Sequence, residues 1–291
     1  MFLWVVVATQ APRQLDALTG YANADLLVSN QQVADQMAEM TVRLIDVRSP
    51  EHYALGHLPE AVNLPVATLT QNRDGIPGML APIATIEQEL GNRGVSRQTR
   101  VVIYDAFGGV QATRLFWVLD YLGHPRISVL QGGYEAWQGE ERPVTREGVQ
   151  PRVTRYQAQV DHSKLANLRW VQTRLQIPDV MRLDARSPAE FSGQVAGRQI
   201  TRPGHIPGAV NVDWVRNLTA APRRFKSGDA LRQLYQDVGV TPDKEIVVYC
   251  RTGVRASHDY FVLRLLGYDR VRLYDGSFVE WSSNGSAPVA R

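Results

Sequence analysis

The stretch EIVVYCRTGVRASHDYFVLRLLG, Glu245 to Gly267, runs from a β-branched apolar segment through a short glycine-containing turn to a helical pattern closed by glycine. An apolar run bounded by a turn suits a strand buried on both faces of a parallel sheet. Glycine just past a helix is the preferred stop, because it adopts left-handed angles freely. The same order occurs earlier as RVVIYDAFGGVQATRLFWVLDYLG, Arg100 to Gly123. Working outward, LIDVRSPEHYALGHLPEAVNLP from Leu44 matches RLDARSPAEF from Arg182, resumed as GHIPGAVNV from Gly204. Asp46 pairs with Asp184, His57 with His205, Asp105 with Cys250 and Trp137 with Trp281. Each copy closes on a Pro-Val pair, at Pro143 and Pro288. The chain is therefore a tandem duplication. Only the second copy carries the ten extra residues within SGQVAGRQITRP, Ser192 to Pro203.

Each copy alternates short β-branched runs with amphipathic ones, which predicts a doubly wound α/β sheet. The expected division is a first domain over residues 24–145, a Pro-, Gly- and charge-bearing linker over 146–166, and a second domain over 167–291. In such sheets ligands bind beyond the carboxyl ends of the strands. Asp46, Asp105, Asp184, Cys250 and Asp275 all fall at those ends.

Composition narrows the chemistry. Residues 1–145 carry a net charge of −5 and residues 146–291 one of +8, so the second half favours a small anion. No basic block is interleaved with aromatics, which argues against nucleic acid. No apolar run is long enough to span a bilayer. The apolar start, Met1 to Ala8, lacks a preceding Lys or Arg and reads as a buried strand or a frayed end rather than a secretory signal. A single cysteine rules out an internal disulfide and a multi-cysteine metal site. No dinucleotide, Walker or metal-ligand pattern is present, so no cofactor is expected.

Cys250 then stands out. It ends a buried strand, and the turn after it leads to a helix expected to start near Ala256. Such a turn points backbone N–H groups inward and makes a small anion cradle. Gly253 permits the backbone angles this requires. A helix N-terminus and the flanking Arg251 and Arg255 favour a thiolate, which is a strong nucleophile. The plainer alternative is an inert buried thiol. In the first copy Asp105 takes the place of the cysteine, in a loop one residue longer. A carboxylate does not replace a thiolate nucleophile, so copy one is expected to be non-catalytic, giving a wall of the site or stability alone.

Taken together, the DxRSP stretches at Asp46 and Asp184, the GH(L/I)P stretches at His57 and His205, the CRTGVRA loop and the DGSFVEW close make the chain resemble a tandem-domain rhodanese. The resemblance runs from about Leu26 to Val289. It implies two rhodanese-like domains, each a parallel five-stranded sheet with helices on both faces, the first inactive. It implies a thiosulfate or 3-mercaptopyruvate sulfurtransferase in which Cys250 takes sulfur from a small anionic donor as a persulfide. A thiol or cyanide then accepts that sulfur. Loop residues Arg251, Thr252, Gly253, Val254 and Arg255 would bind the donor, and Arg186 would hold its anionic group unless it pairs with Asp184 or Glu190. Asp184, His57, His205, Trp214, Trp281 and Asp275 are expected to be structural. Arg251 directly after the cysteine points to thiosulfate, whereas Thr252 retains a hydroxyl of the mercaptopyruvate type. Thr252 and Glu190 also stand where thiosulfate enzymes often carry cations, which Arg255, Arg198 or Arg202 would have to replace. The expected protein is a cytoplasmic monomer, with a periplasmic address left open.

Two rivals remain. A cysteine phosphatase needs a longer loop than the four residues between Cys250 and Arg255. A persulfide carrier serving one dedicated partner needs no change to the site.

Overall fold

A computed structural model describes residues 20–38 and 42–291, so the Met1–Ala8 expectation lies outside the described residues. The strands in chain order are β1 Leu27–Val28, β2 Val42–Asp46, β3 Val62–Asn63, β4 Thr70–Arg73, β5 Ile76–Leu80, β6 Arg100–Tyr104, β7 Ile127–Leu130, β8 Leu165–Ala166, β9 Val180–Asp184, β10 Ala209–Asn211, β11 Glu245–Tyr249 and β12 Val271–Tyr274. The helices are α1 Asn30–Ala38, α2 Pro50–Leu55, α3 Ile83–Asn92, α4 Ala112–Tyr121, α5 Gly133–Gly139, α6 Leu168–Gln172, α7 Pro188–Phe191, α8 Gly228–Gln236, α9 Val254–Leu265 and α10 Ser277–Ser283.

Two five-stranded parallel sheets result, in the orders β1-β7-β6-β2-β3 and β8-β12-β11-β9-β10. Matching strands occupy matching places, so the sequence repeat is a repeat of topology. The antiparallel hairpin β4–β5 lies outside both sheets. The second sheet takes its edge strand from Leu165–Ala166, inside the span expected to be linker. The element-free stretch ends before His162. The expected boundary was late because a two-residue edge strand is too short to show a periodicity.

The repeated sequence marks have packing roles. The indole N–H of Trp137 donates to the Pro143 carbonyl at 2.8 Å, and that of Trp281 to the Pro288 carbonyl at 2.7 Å. His57 stacks on Tyr53 and bonds the Tyr53 and Glu147 carbonyls; His205 stacks on Phe191 and bonds its carbonyl. Both histidines are structural. Gly123 and Gly267 follow α4 and α9 with φ of +68° and +89°.

The helices that follow the two strand-end loops form the boundary between the halves. Nine of the ten residues of α4 and nine of the twelve of α9 are buried. A helix buried on nearly all sides needs cover on those sides, and each supplies cover for the other. Phe116 meets Phe261 edge-to-face at 4.8 Å. One apolar core runs across both halves through these helices. Among the described residues no helix is long and apolar enough to cross a membrane, and no cluster of His, Cys, Asp or Glu is arranged to hold a metal.

Candidate active site

Cys250 follows β11, and the helix begins at Val254 rather than near Ala256. The turn is thus only Arg251–Gly253. Its sharpness comes from Gly253, with φ +84° and ψ −19°, a left-handed conformation that glycine adopts without cost from a Cβ. This turn brings the Gly253 N–H back onto the Cys250 sulfur at 3.1 Å. Cys250 is 1% exposed. Its own N–H donates to the Ser277 hydroxyl at 3.2 Å, and that hydroxyl donates to the Tyr274 carbonyl at 2.8 Å. The Cys250 and Arg251 carbonyls accept from the N–H groups of Phe278 and Val279, so the start of α10 pins the loop from below.

Ser277 holds φ +51°, an unusual angle for a residue with a Cβ. Its counterpart in copy one is Gly133, with φ +56°. Replacing the unstrained glycine by serine introduces a hydroxyl that ties down the cysteine. Sequence reasoning missed Ser277, although the repeat carried the signal in the change from QGG to DGS.

The matching loop in copy one shows what this architecture holds. Oδ1 of Asp105 accepts from Phe107 and Gly109 at 3.0 and 2.9 Å, and Oδ2 from Gln111 and Ala112 at 2.8 and 3.2 Å. Burial pushes this carboxyl above its usual range, and the four amides pull it back. Both oxygens face only donors, so the loop is shaped for an anion and copy one fills it with its own side chain. The outside of that loop is covered by the second half: a Cβ on Gly108 would meet Leu218, and one on Gly109 would meet Phe225.

Arg255 does not stand free beside the cysteine. Its Nη1 and Nη2 donate to the two Glu190 oxygens at 2.6 and 2.8 Å. Burial opposes ionisation of Glu190. The Arg255 fork, its charge and the Ser187 bonds outweigh burial and hold the carboxyl down at about 2. A folded-state pKa below the ordinary 4.5 gives stability that is present above that value and is lost as pH falls toward 2. Glu190→Gln is therefore expected to cost on the order of 2–3 kcal/mol at neutral pH and to flatten acid unfolding across that window. Urea titrations at several pH values check this; parallel acid limbs for both proteins contradict it.

Arg251 is placed differently from Arg255. Its Nη1 touches the Arg198 carbonyl at 3.3 Å, and no carboxylate pairs with it among the described residues. Its stem lies along the extra segment of copy two, where a Cβ on Gly197 would stand 3.3 Å from Arg251 Cδ. Arg202 is spent on the carbonyls of Trp281, Ser282, Asn284 and Ala287. On the other side the β4–β5 hairpin of the first half forms a wall. A Cβ on Gly78 would stand 3.3 Å from the Thr252 carbonyl oxygen.

Arg186 takes the buried-pair alternative. It is 1% exposed. Its Nε and Nη2 bind both Asp184 oxygens, and Nη2 also reaches the Gly204 carbonyl at 2.7 Å. Arg48 makes the same bonds to Asp46 and the Gly56 carbonyl in the copy without a cysteine. The expectation that Arg186 grips the donor gives way because its fork is already filled by a scaffold common to both halves. Asp275, expected to be structural, joins the halves, accepting from Leu80 N–H at 2.7 Å and from Arg114 Nη2 at 2.5 Å.

The chain is 30% identical to the thiosulfate sulfurtransferase of Pseudomonas aeruginosa, over 92% of this chain and 98% of that one. It is 33% identical to the sulfur carrier protein TtuD of Thermus thermophilus, over 94% and 99%. Among solved structures it superimposes on YnjE with a TM-score of 0.86 at 21% identity, covering 92% of this chain and 69% of that one. The anaerobic ergothioneine biosynthesis enzyme of Chlorobium limicola gives a TM-score of 0.84 at 23%, covering 92% and 70%. These two likenesses concern the fold. The rhodanese-like domain model matches residues 29–140 and again 167–284. The chain belongs to the rhodanese-like domain family and carries that domain twice.

Proposed function

We propose that this protein is a thiosulfate sulfurtransferase in which Cys250 carries the sulfur. The Cys250 thiolate attacks the outer sulfur of thiosulfate, an S–S bond forms, and the S–S bond of the donor breaks with its electron pair leaving on sulfite. Cyanide or a thiolate then attacks the terminal persulfide sulfur, and the electron pair returns to Cys250. No external oxidant or reductant is needed, and each half-reaction leaves the enzyme in a defined form, as in covalent catalysis generally.

The observation that carries this reading is the Gly253 N–H on Sγ at 3.1 Å, in a turn whose duplicate aims four backbone N–H groups at one carboxyl group. Preorganised amide donors stabilise charge where it develops. A persulfide places its negative charge one sulfur further out, nearer the mouth. Arg251 supplies the cation there, since Arg255 is neutralised by Glu190. Thiosulfate sulfurtransferase relatives at about 30% identity over most of the chain support the donor. Arg251→Gly is expected to raise KM for thiosulfate by about tenfold or more with a smaller change in kcat, as for lost charge-assisted binding. Unchanged thiosulfate kinetics overturn the assignment of Arg251. Faster turnover of 3-mercaptopyruvate than of thiosulfate by the unaltered protein overturns the donor.

The likeness to a sulfur carrier favours a second reading, in which the persulfide is handed to one dedicated protein. Rapid turnover with free cyanide separates the two and is expected here.

A further inference from the structure

Resting on the reading of Cys250 as the sulfur carrier, we propose that Arg114, on the half without a cysteine, is a positioning residue for sulfur transfer that backs the Gly253 amide. Arg114 lies in α4 and is fully buried. Its Nη2 donates to Asp275 Oδ1 at 2.5 Å and to the Gly78 carbonyl at 3.1 Å, and its guanidinium lies 4.5 Å from the Trp117 ring centroid. Nε and Nη1 make no hydrogen bond. Nη1 is aimed at the active loop: a Cβ on Gly253 would stand 2.9 Å from it and 3.2 Å from the Asp275 carbonyl oxygen. A buried guanidinium with open N–H groups is costly and calls for a reason.

The duplicate supplies that reason. The position equivalent to Arg114 is His258, and that equivalent to Asp275 is Gln131. Each of these residues reaches across the same boundary, to a partner of its own. His258 is fully buried, and burial pushes its pKa down to about 4, so it is neutral. Its Nε2 meets the Gly108 carbonyl at 3.0 Å and its Nδ1 the Asn217 amide at 3.1 Å, so both nitrogens are satisfied. Gln131 bonds Phe225 N–H and carbonyl, much as Asp275 bonds Leu80 N–H. Two neutral side chains thus stand behind the loop that Asp105 fills with its own carboxyl group. A charged pair stands behind the loop where negative sulfur forms and sulfite departs. Fold stability alone is served by the neutral version. The cation belongs with the chemistry, packed against the residue whose amide donates to Sγ.

The test is single-turnover persulfide formation from thiosulfate by the full chain, with thermal melting alongside. Arg114→Gln is expected to slow the first-order step by about 10- to 100-fold, the scale of a misplaced reacting group, with less than about a threefold change in half-saturation. Arg114→Lys, whose shorter ammonium leaves Gly253 without its backing, is expected to fall in between. Gln131→Ala, the reciprocal boundary contact, should melt earlier yet react at the rate of the unaltered protein. A folded Arg114→Gln that reacts as fast as Gln131→Ala overturns the inference, and so does a change confined to half-saturation. If Arg114→Gln does not fold, Arg114→Lys decides: a rate equal to that of the unaltered protein overturns the inference. An unaltered protein that takes no sulfur overturns both the reading of Cys250 and the role of Arg114, whereas one that does, with Arg114 indifferent, overturns the second alone.

Discussion

Cys250→Ser is expected to abolish sulfur transfer while leaving the fold intact. A hydroxyl is a poor nucleophile toward sulfane sulfur and cannot store it as a persulfide, so turnover should fall by more than about 10³-fold. The surrounding structure gives little reason for collapse. The Cys250 N–H bond to Ser277 and the Cys250 carbonyl bond to Phe278 are backbone bonds on the cysteine side and survive the change. A serine oxygen also accepts the Gly253 N–H. Stability should therefore move by no more than about 1 kcal/mol. Turnover within tenfold of the unaltered protein contradicts the assignment, because Cys250 is the sole cysteine.

Asp105→Ala is expected to produce a large loss of stability in the cysteine-free half. Four backbone N–H groups lose their acceptor at once, in a loop whose carboxylate is 2% exposed. A buried donor left without a partner costs about 1–3 kcal/mol. Water entering the vacated space recovers part of that, since a polar cavity with several donors is one that water occupies. A net cost of about 3–5 kcal/mol follows, a large share of the stability of an ordinary domain. Asp105→Asn keeps one acceptor but turns an NH2 toward two N–H groups, so about half that loss is expected. Urea midpoints check both. A change below 1 kcal/mol for Asp105→Ala contradicts the view that this carboxylate fills an anion cradle. The chemistry of Cys250 should persist in the molecules that remain folded.

The duplication made most of the fold legible. Strand-end residues, glycine stops, the paired histidines and the Trp-to-Pro closures all recur in order, and each recurs for a packing reason that the structure displays. What escaped was of two kinds. Very short elements escaped because two residues cannot declare a period, as with Leu165–Ala166 inside the expected linker; exact ends escaped too, since α9 starts two residues before Ala256. Contacts between the halves escaped because sequence order carries no information about which loop faces which helix. Arg114 reads as one more charge on an apolar helix, and Asp275 as one more turn residue, until the two are seen 2.5 Å apart. Arg186 was drawn toward the donor by analogy. Its twin Arg48, in a copy with no chemistry, shows that the DxR motif ties a strand end to a later loop in both halves.

The central claim is that Cys250 itself holds the transferred sulfur. Mass spectrometry of the unaltered full chain after stoichiometric thiosulfate, with sulfite measured in the same sample, tests it directly. A gain of about 32 Da (one sulfur, as in persulfidation) on the Cys250 peptide, with one sulfite released per chain and reversal by cyanide, is the expected result. Sulfite release without a mass gain at Cys250, or a mass gain at another residue, contradicts it.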